Sequence, residues 1–155
     1  MLPDLDTLRR DFQAAAGDAA RAARLWEALH RYQGPDPVRL AYRAAASALR
    51  AHHAWNPVDK LRLLHDAMQT FEDAIRRAPD QVEIRFLRFA IEHHLPGFLD
   101  RLYHFDEDKA VMIEGLRQPG RFGLQDGHLQ QFIEFFESTG RFSQLELDTL
   151  RQAAG

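Results

Sequence analysis

Three side chains that can hold a charged group lie on one face of a predicted helix in the middle of the chain. Arg85, Arg88 and Glu92 follow one another at steps of three and four residues, which places them on the same side of an α-helix. A guanidinium group suits planar, two-pronged recognition of a carboxylate or phosphate, and two of them one turn apart can hold the same acidic group. The spacing therefore predicts a candidate ligand or partner site at these three residues.

Two interpretations of the arginine stripe, Arg85 and Arg88, stay open. The guanidinium groups can pair with carboxylates of the same protein, such as Asp73 or Glu92, and charged groups inside proteins are usually paired. Alternatively, at least one of the two arginines lines a groove that is open to an acidic ligand or partner segment. Internal pairing is the more common outcome, and open access is the hypothesis that would give the stripe a function.

Two adjacent histidine pairs suggest a metal site. His52 and His53 lie near the end of the third predicted helix, and His93 and His94 near the end of the fifth. Adjacent helical residues point about 100° apart, so a metal ion would need one histidine from each pair. That is possible if the third, fourth and fifth helices run up, down and up. The favoured alternative is that these histidines cap helix carbonyls, and we expect no cofactor.

The sequence lacks the motifs of common catalytic sites. There is no cysteine, which excludes thiol catalysis and cysteine-ligated zinc. Ser47, Ser138 and Ser143 are the only serines, and none lies in a Gly-x-Ser-x-Gly elbow. The acidic run Asp106–Asp108 is typical of exposed carboxylates that compensate the dipole at a helix N-terminus. An enzyme is therefore the less favoured interpretation.

Composition narrows the class of protein and of partner. The 155 residues are 45% hydrophobic and 28% charged, which is typical of one folded domain. A net charge of -3 provides no basic surface for nucleic acid. The first residues, Met1–Phe12, lack the basic and apolar pattern of a secretory signal, and no later stretch is long enough to span a bilayer. We expect a cytoplasmic protein with no nucleic-acid or membrane partner, and the oligomeric state stays open.

The clearest periodicity lies between Asn56 and Leu95. Pro79 divides this stretch, because proline ends a helix and restricts the residue before it. Asp80 and Glu83 have the spacing of a capping box for the following helix, which carries the arginine stripe. Before Pro79, apolar residues at steps of three and four predict one seam of a long helix: Leu61, Leu64, Met68, Phe71, Ile75 and Ala78.

Local end signals predict helices in the rest of the chain. Asp36-Pro37 and Asn56-Pro57 each combine a capping side chain with a proline at the first helical position. Ser143 and Glu146 form a capping box before the last helix. The prediction is an all-α protein of seven or eight helices, arranged as antiparallel hairpins in a repeat-like stack. It forms a single domain, 1–155, with a hairpin stack at 1–99 and C-terminal helices at 100–155 packing on it.

Part of the middle region resembles a tetratricopeptide repeat. Ala67, Phe71, Ala74 and Pro79 stand at the spacings of the second helix of such a repeat, where small residues let paired helices approach and the proline ends the unit. The next helix departs from the pattern, with arginines where the repeat has its aromatic and leucine residues. The resemblance implies repeat-like hairpins rather than a regular array.

A longer signature is similar to that of an uncharacterised family of short bacterial helical proteins. It covers about the middle third of the chain, and the resemblance implies a helical fold without implying an activity. The residues that carry it are Asn56, Pro57, Lys60, Ala67, Phe71, Ala74, Ile75, Pro79, Glu83 to Phe89, Pro96, Phe98 and Leu99.

These observations favour a non-catalytic helical module for protein interaction or scaffolding, with an unknown protein or peptide as its partner. Stacks of helices present grooves to partners, and no catalytic pattern competes with that interpretation. The alternative is a small ligand-binding or metal-binding protein or enzyme. It would use the histidine-rich helix ends (His52, His53, His93, His94) or the arginine stripe.

Overall fold

The computed structural model describes residues 2–95, 103–118 and 126–154. These residues form helices and contain no β-strand, which confirms the predicted all-α class. The repeat-like arrangement stays a prediction. Pro96, Phe98, Leu99 and the predicted internal boundary after residue 99 lie outside the described residues. The helices are α1 (Leu5–Ala15), α2 (Ala19–Leu29), α3 (Pro37–His53), α4 (Pro57–Arg77), α5 (Val82–His93), α6 (Phe105–Leu116), α7 (Asp126–Thr139) and α8 (Gln144–Ala154).

The chain divides into two compact units, Met1–Pro79 and Asp80–Gly155. The first unit contains α1 to α4, and α3 packs against each of the other three helices. The second unit contains α5 to α8, in which α5 packs against α6, and α8 packs against α6 and α7.

Short polar residues fix the helix starts in the first unit, as the sequence predicts. Asp36 Oδ1 accepts a hydrogen bond from the Val38 amide at 3.0 Å, and Asn56 Oδ1 accepts one from the Val58 amide at 2.9 Å. A proline follows each cap at the first helical position, where its missing N–H is harmless. Asp4 and Asp18 cap α1 and α2 in the same way.

The first unit is built around a face of small residues on α3. Ala41, Ala44, Ala45 and Ala48 are buried, so neighbouring backbones can approach this helix closely. Only three residues, 54–56, separate α3 from α4, and a connection this short makes the two helices an antiparallel hairpin. This α3–α4 hairpin contains the most extensive helix pairing in the chain.

One member of the predicted seam on α4 is exposed. Phe71 and Ile75 are buried as predicted, but Leu61 is 69% exposed. Leu61 lies ten positions before Phe71, so its side chain points roughly 80° away from that of Phe71 around the helix. The buried face of α4 follows Ala67, Phe71 and Ala74 instead. The inclusion of Leu61 in the core was therefore wrong, since alternating steps of three and four do not return to the same side indefinitely.

The second unit has an aromatic core. The Phe136 and Phe142 rings stack with centroids 4.5 Å apart, and Phe89 contacts both. Gly115 of α6 lies so close to Val82 of α5 that a Cβ atom there would clash with the valine side chain. The buried members of the core are Val82, Phe89, Met112, Leu116, Ile133, Phe136, Phe142, Leu147 and Leu150.

Capping boxes were predicted at two helix starts in this unit, and the structure confirms one of them. The Ser143 and Glu146 box is confirmed, since the Glu146 amide donates to Ser143 Oγ at 3.1 Å and the Ser143 amide donates to Glu146 Oε1 at 2.8 Å. The Asp80 box is wrong. The N-cap residue of α5 is Gln81 rather than Asp80, and its side chain makes no capping bond.

Phe71→Ala should destabilise the protein by about 3–5 kcal/mol, because the ring is fully buried and its removal leaves a cavity. Leu61→Ala on the same helix is the matched control, and we expect a change within about 0.5 kcal/mol at that exposed position. Denaturant unfolding followed by circular dichroism measures both. Equal losses in the two variants would contradict the burial assigned to α4.

Candidate functional site

The arginine stripe lies inside the second unit. α5 presents Arg85, Arg88 and Glu92 on one side, as predicted from their spacing, and all three are buried. The Arg85 and Arg88 side chains are 6% and 3% exposed. Charged groups this far from water need partners of opposite charge, and α6 supplies them.

Asp108 of α6 is the carboxylate shared by both arginines. Arg88 binds it in a fork, with Nε donating to Oδ2 at 2.8 Å and Nη2 donating to Oδ1 at 2.6 Å. Arg85 Nη1 donates to Asp108 Oδ1 at 3.0 Å. Two parallel N–H···O bonds make a strong and directional pair. A ligand could reach either guanidinium only by displacing carboxylates of this protein.

Glu107 completes the cluster at its exposed edge. Arg85 Nη1 donates to Glu107 Oε1 at 2.9 Å, and this hydrogen bond lowers the pKa of Glu107. Burial acts to lower the pKa of Arg88, but the hydrogen bond and charge of Asp108, with the charges of Glu92 and Glu107, raise it above the ordinary arginine value. Arg88 therefore carries a positive charge in the folded protein.

Glu92 is held by His104, the residue before α6. Its Oε1 accepts a hydrogen bond from the His104 amide at 2.7 Å, and its Oε2 lies 2.7 Å from His104 Nδ1. The carboxyl group is fully buried. Burial raises the pKa of Glu92, while the hydrogen bonds and charge of His104 act in the opposite direction. An ionised Glu92 needs a proton on Nδ1, whereas a neutral Glu92 can donate its own proton to that nitrogen.

Sequence reasoning missed the role of Asp108. The acidic run was expected to be exposed at the start of α6, and Asp106 and Glu107 are exposed, but Asp108 is buried. The expectation was wrong for this residue. A signal was present, because Asp108 stands four residues before Met112 and eight before Leu116, on the apolar face of its helix.

The histidine pairs lie in different units, His52 and His53 at the end of α3 and His93 and His94 at the end of α5. His53 Nε2 lies 3.4 Å from the Ala15 carbonyl oxygen. His93 Nδ1 accepts a hydrogen bond from Arg141 Nε at 3.1 Å. Among the described residues, no three His, Asp or Glu side chains are grouped so that they could hold a metal ion.

An exposed apolar patch lies at the tip of the α3–α4 hairpin. Trp55 is 92% exposed, Val58 is 72% exposed, and Leu61 adds a third large side chain one turn further along α4. We call these three residues the hairpin patch. Tryptophan is usually well buried in folded proteins, and neighbouring exposed apolar side chains are typical of interaction surfaces. The sequence pattern did not indicate the patch, since it placed Leu61 in the core.

Comparison with protein-family models, with curated proteins and with solved structures finds no match for this chain. In the part of the chain that the structure describes, no helix combines the length and the apolar character needed to cross a bilayer.

Arg88→Ala should destabilise the protein by about 3–5 kcal/mol, because it leaves the Asp108 carboxylate buried without its forked partner. Glu107→Ala removes the exposed carboxylate of the same cluster and should cost less than about 1 kcal/mol. Denaturant unfolding of the two variants and the wild type provides the comparison. If Arg88→Ala unfolds like the wild type, the buried fork is not part of the folded protein in solution.

Glu92 should make stability fall with increasing pH. Its folded pKa is raised, so above the ordinary glutamate pKa the folded state keeps a proton that the unfolded state has released, and the free energy of unfolding decreases until pH passes the raised value. Glu92→Gln removes this contribution.

The measurement is a series of denaturant unfolding curves between about pH 3 and pH 8. Relative to the glutamine variant, wild-type stability should decline as pH rises. Glu107→Gln is the matched control of opposite sign, because the lowered pKa of Glu107 gives a contribution that is lost as pH falls. A wild-type stability that rises relative to Glu92→Gln across this window would contradict the assignment.

Proposed function

We propose that this protein is a non-catalytic protein-interaction module and that the hairpin patch contacts its partner. The observation that carries the proposal is the 92% exposure of Trp55 beside the exposed Val58 and Leu61. Tryptophan is enriched at the energetic centres of protein interfaces, because its large ring loses much contact with water on binding. An apolar surface of this kind has no evident use in a protein that acts alone.

The position of the patch favours binding. Trp55 immediately precedes the Asn56 cap, and Val58 and Leu61 lie in the first turns of the longest helix. These side chains are therefore carried by a hairpin that is packed along its length, and little backbone order has to be gained when a partner binds. The buried arginine stripe supports the same choice of site, because its charges are already engaged by Asp108 and Glu107.

We also propose, from the sequence, that the protein is cytoplasmic and of bacterial source and that it belongs to the helical family that its middle region resembles. We propose further that its helices form a repeat-like stack similar to tetratricopeptide repeats. Such stacks commonly bind peptides or protein segments, and this part of the proposal relies on similarity of fold. The competing proposal of a ligand-binding or metal-binding protein would use the histidine pairs, for which the described residues supply no third ligand.

Photo-crosslinking in the native cell tests the proposal. A benzophenone amino acid replaces Trp55 in the full chain, and the same probe at Gln69, an exposed polar position on α4, is the control. We expect a discrete crosslinked protein from position 55 that does not form from position 69. Crosslinking that is diffuse, or equal at both positions, would overturn the proposal.

Substitutions outside the probe position make this test specific. Leu61→Ser should reduce the crosslinking yield by removing part of the patch. Leu145→Ser is a matched control, because Leu145 is 76% exposed but lies in α8 of the second unit and has no exposed large apolar neighbour among the described residues. If the two serine variants lower the yield equally, binding does not depend on the hairpin patch.

A further inference from the structure

The Arg141 side chain is held in place without a carboxylate. Its Nε donates a hydrogen bond to His93 Nδ1 at 3.1 Å, and its guanidinium carbon lies over the Phe105 ring, 3.9 Å from the centroid. None of the carboxylates that the structure describes forms an ion pair with it. The buried arginines of α5, in contrast, are paired with Asp108. The position of Arg141 therefore depends on an imidazole and an aromatic ring.

This contact requires a particular protonation state of His93. An arginine side chain has N–H donors but no acceptor, and it stays charged in proteins. The hydrogen bond from Arg141 therefore needs a lone pair on His93 Nδ1, so the imidazole is neutral and carries its proton on Nε2. A proton on Nδ1 would remove the acceptor and bring two cations into contact, which is unfavourable.

The other neighbours of His93 also favour its neutral form. Its ring lies 5.2 Å from the His94 ring on α5 and 6.3 Å from the Phe135 ring of α7, measured between centroids. No ion pair joins it to a carboxylate in the described part of the chain. Burial, the charge of His94 and the charge of Arg141 all lower the pKa of His93. His93 therefore takes up its second proton below the ordinary histidine value of about 6.5.

We propose that His93 and Arg141 form a pH-sensitive latch between the end of α5 and the turn 140–143, which joins α7 to α8. A neutral His93 holds the Arg141 side chain and the turn against α5. A protonated His93 releases that side chain, and the Phe105 ring beneath it is uncovered. The latch lies in the second unit and is independent of the hairpin patch.

A second contact holds the same turn and does not titrate with His93. Lys109 Nζ donates to the Arg141 carbonyl oxygen at 2.9 Å and to Glu146 Oε1 at 3.2 Å. Burial acts to raise the pKa of Glu146, but the hydrogen bonds of Ser143 and Lys109 lower it below the ordinary glutamate value. Glu146 therefore stays ionised while His93 titrates, so Lys109 keeps the turn attached to α6 when the latch opens.

Heteronuclear NMR spectroscopy of the isotope-labelled full chain tests the latch. The Arg141 Nε–H signal reports the hydrogen bond directly, and its exchange with water is measured while the His93 imidazole is titrated below about pH 7.5. His93→Gln is the matched variant, because the glutamine amide oxygen can accept the same bond and does not titrate. His94→Gln is the control for the neighbouring histidine. A chelator is present throughout, and a thermal melt checks that each variant is folded.

Above the His93 midpoint, the Arg141 Nε–H should exchange at similar rates in the wild type and in His93→Gln. About one pH unit below the midpoint, exchange in the wild type should be about fivefold faster than in His93→Gln at the same pH, because one hydrogen bond is lost. The Gly140 and Arg141 amide signals should shift with the His93 midpoint in the wild type and stay constant in His93→Gln. His94→Gln should retain the transition.

Equal exchange rates in the wild type and His93→Gln throughout the titration would overturn the latch, since Arg141 would not respond to the imidazole. Turn signals that shift in the same way in His93→Gln would assign the change to another group and also overturn it. If His93→Gln does not fold, the wild type decides alone, because the midpoints of Arg141 and His93 must coincide. A His93 midpoint above about 6.5 would contradict the contact with Arg141.

Discussion

A carboxylate removed from water has to be matched by cations, and Asp108 imposes this condition on the second unit. Asp108 is fully buried on α6, and it accepts two hydrogen bonds from Arg88 and a third from Arg85, both on α5. Buried ion pairs contribute little net stability because both partners lose their hydration. Their bonds are directional, however, so the fork fixes which turn of α5 faces which turn of α6. Apolar contacts such as Phe89 with Phe105 join the same two helices beside the ion pairs.

Glu92 lies on the same side of α5 as the two arginines and is likewise removed from water. Burial raises the pKa of its carboxyl group, against the opposing effects of the hydrogen bonds from His104 and of the Arg88 charge. Removing water from the carboxyl group favours its neutral form.

Predictions from the sequence were correct where the interacting residues lie close together along the chain, and they failed where the partner is distant. The Asn56 cap and the Ser143 and Glu146 box are decided by neighbours within a turn, and these predictions were correct. The partner of Arg88 lies 20 residues away on another helix. No pattern within α5 identifies it. The prediction for Leu61 failed because steps of three and four drift around a helix, which places Leu61 roughly 80° from Phe71.

The buried charges on α5 and the exposed Trp55 have opposite physical consequences. Arg85 and Arg88 are buried and paired with Asp108 of α6, and Glu92 is bonded to His104. Trp55 is apolar and almost wholly in water, so it gains little from folding and can gain the transfer free energy of a large aromatic ring when another surface covers it. That gain is available without unfolding any part of the α3–α4 hairpin, since the buried faces of both helices lie elsewhere. A partner could therefore bind at the hairpin tip without breaking existing ion pairs. At the arginine stripe, a ligand would first have to replace the carboxylates that join α5 to α6.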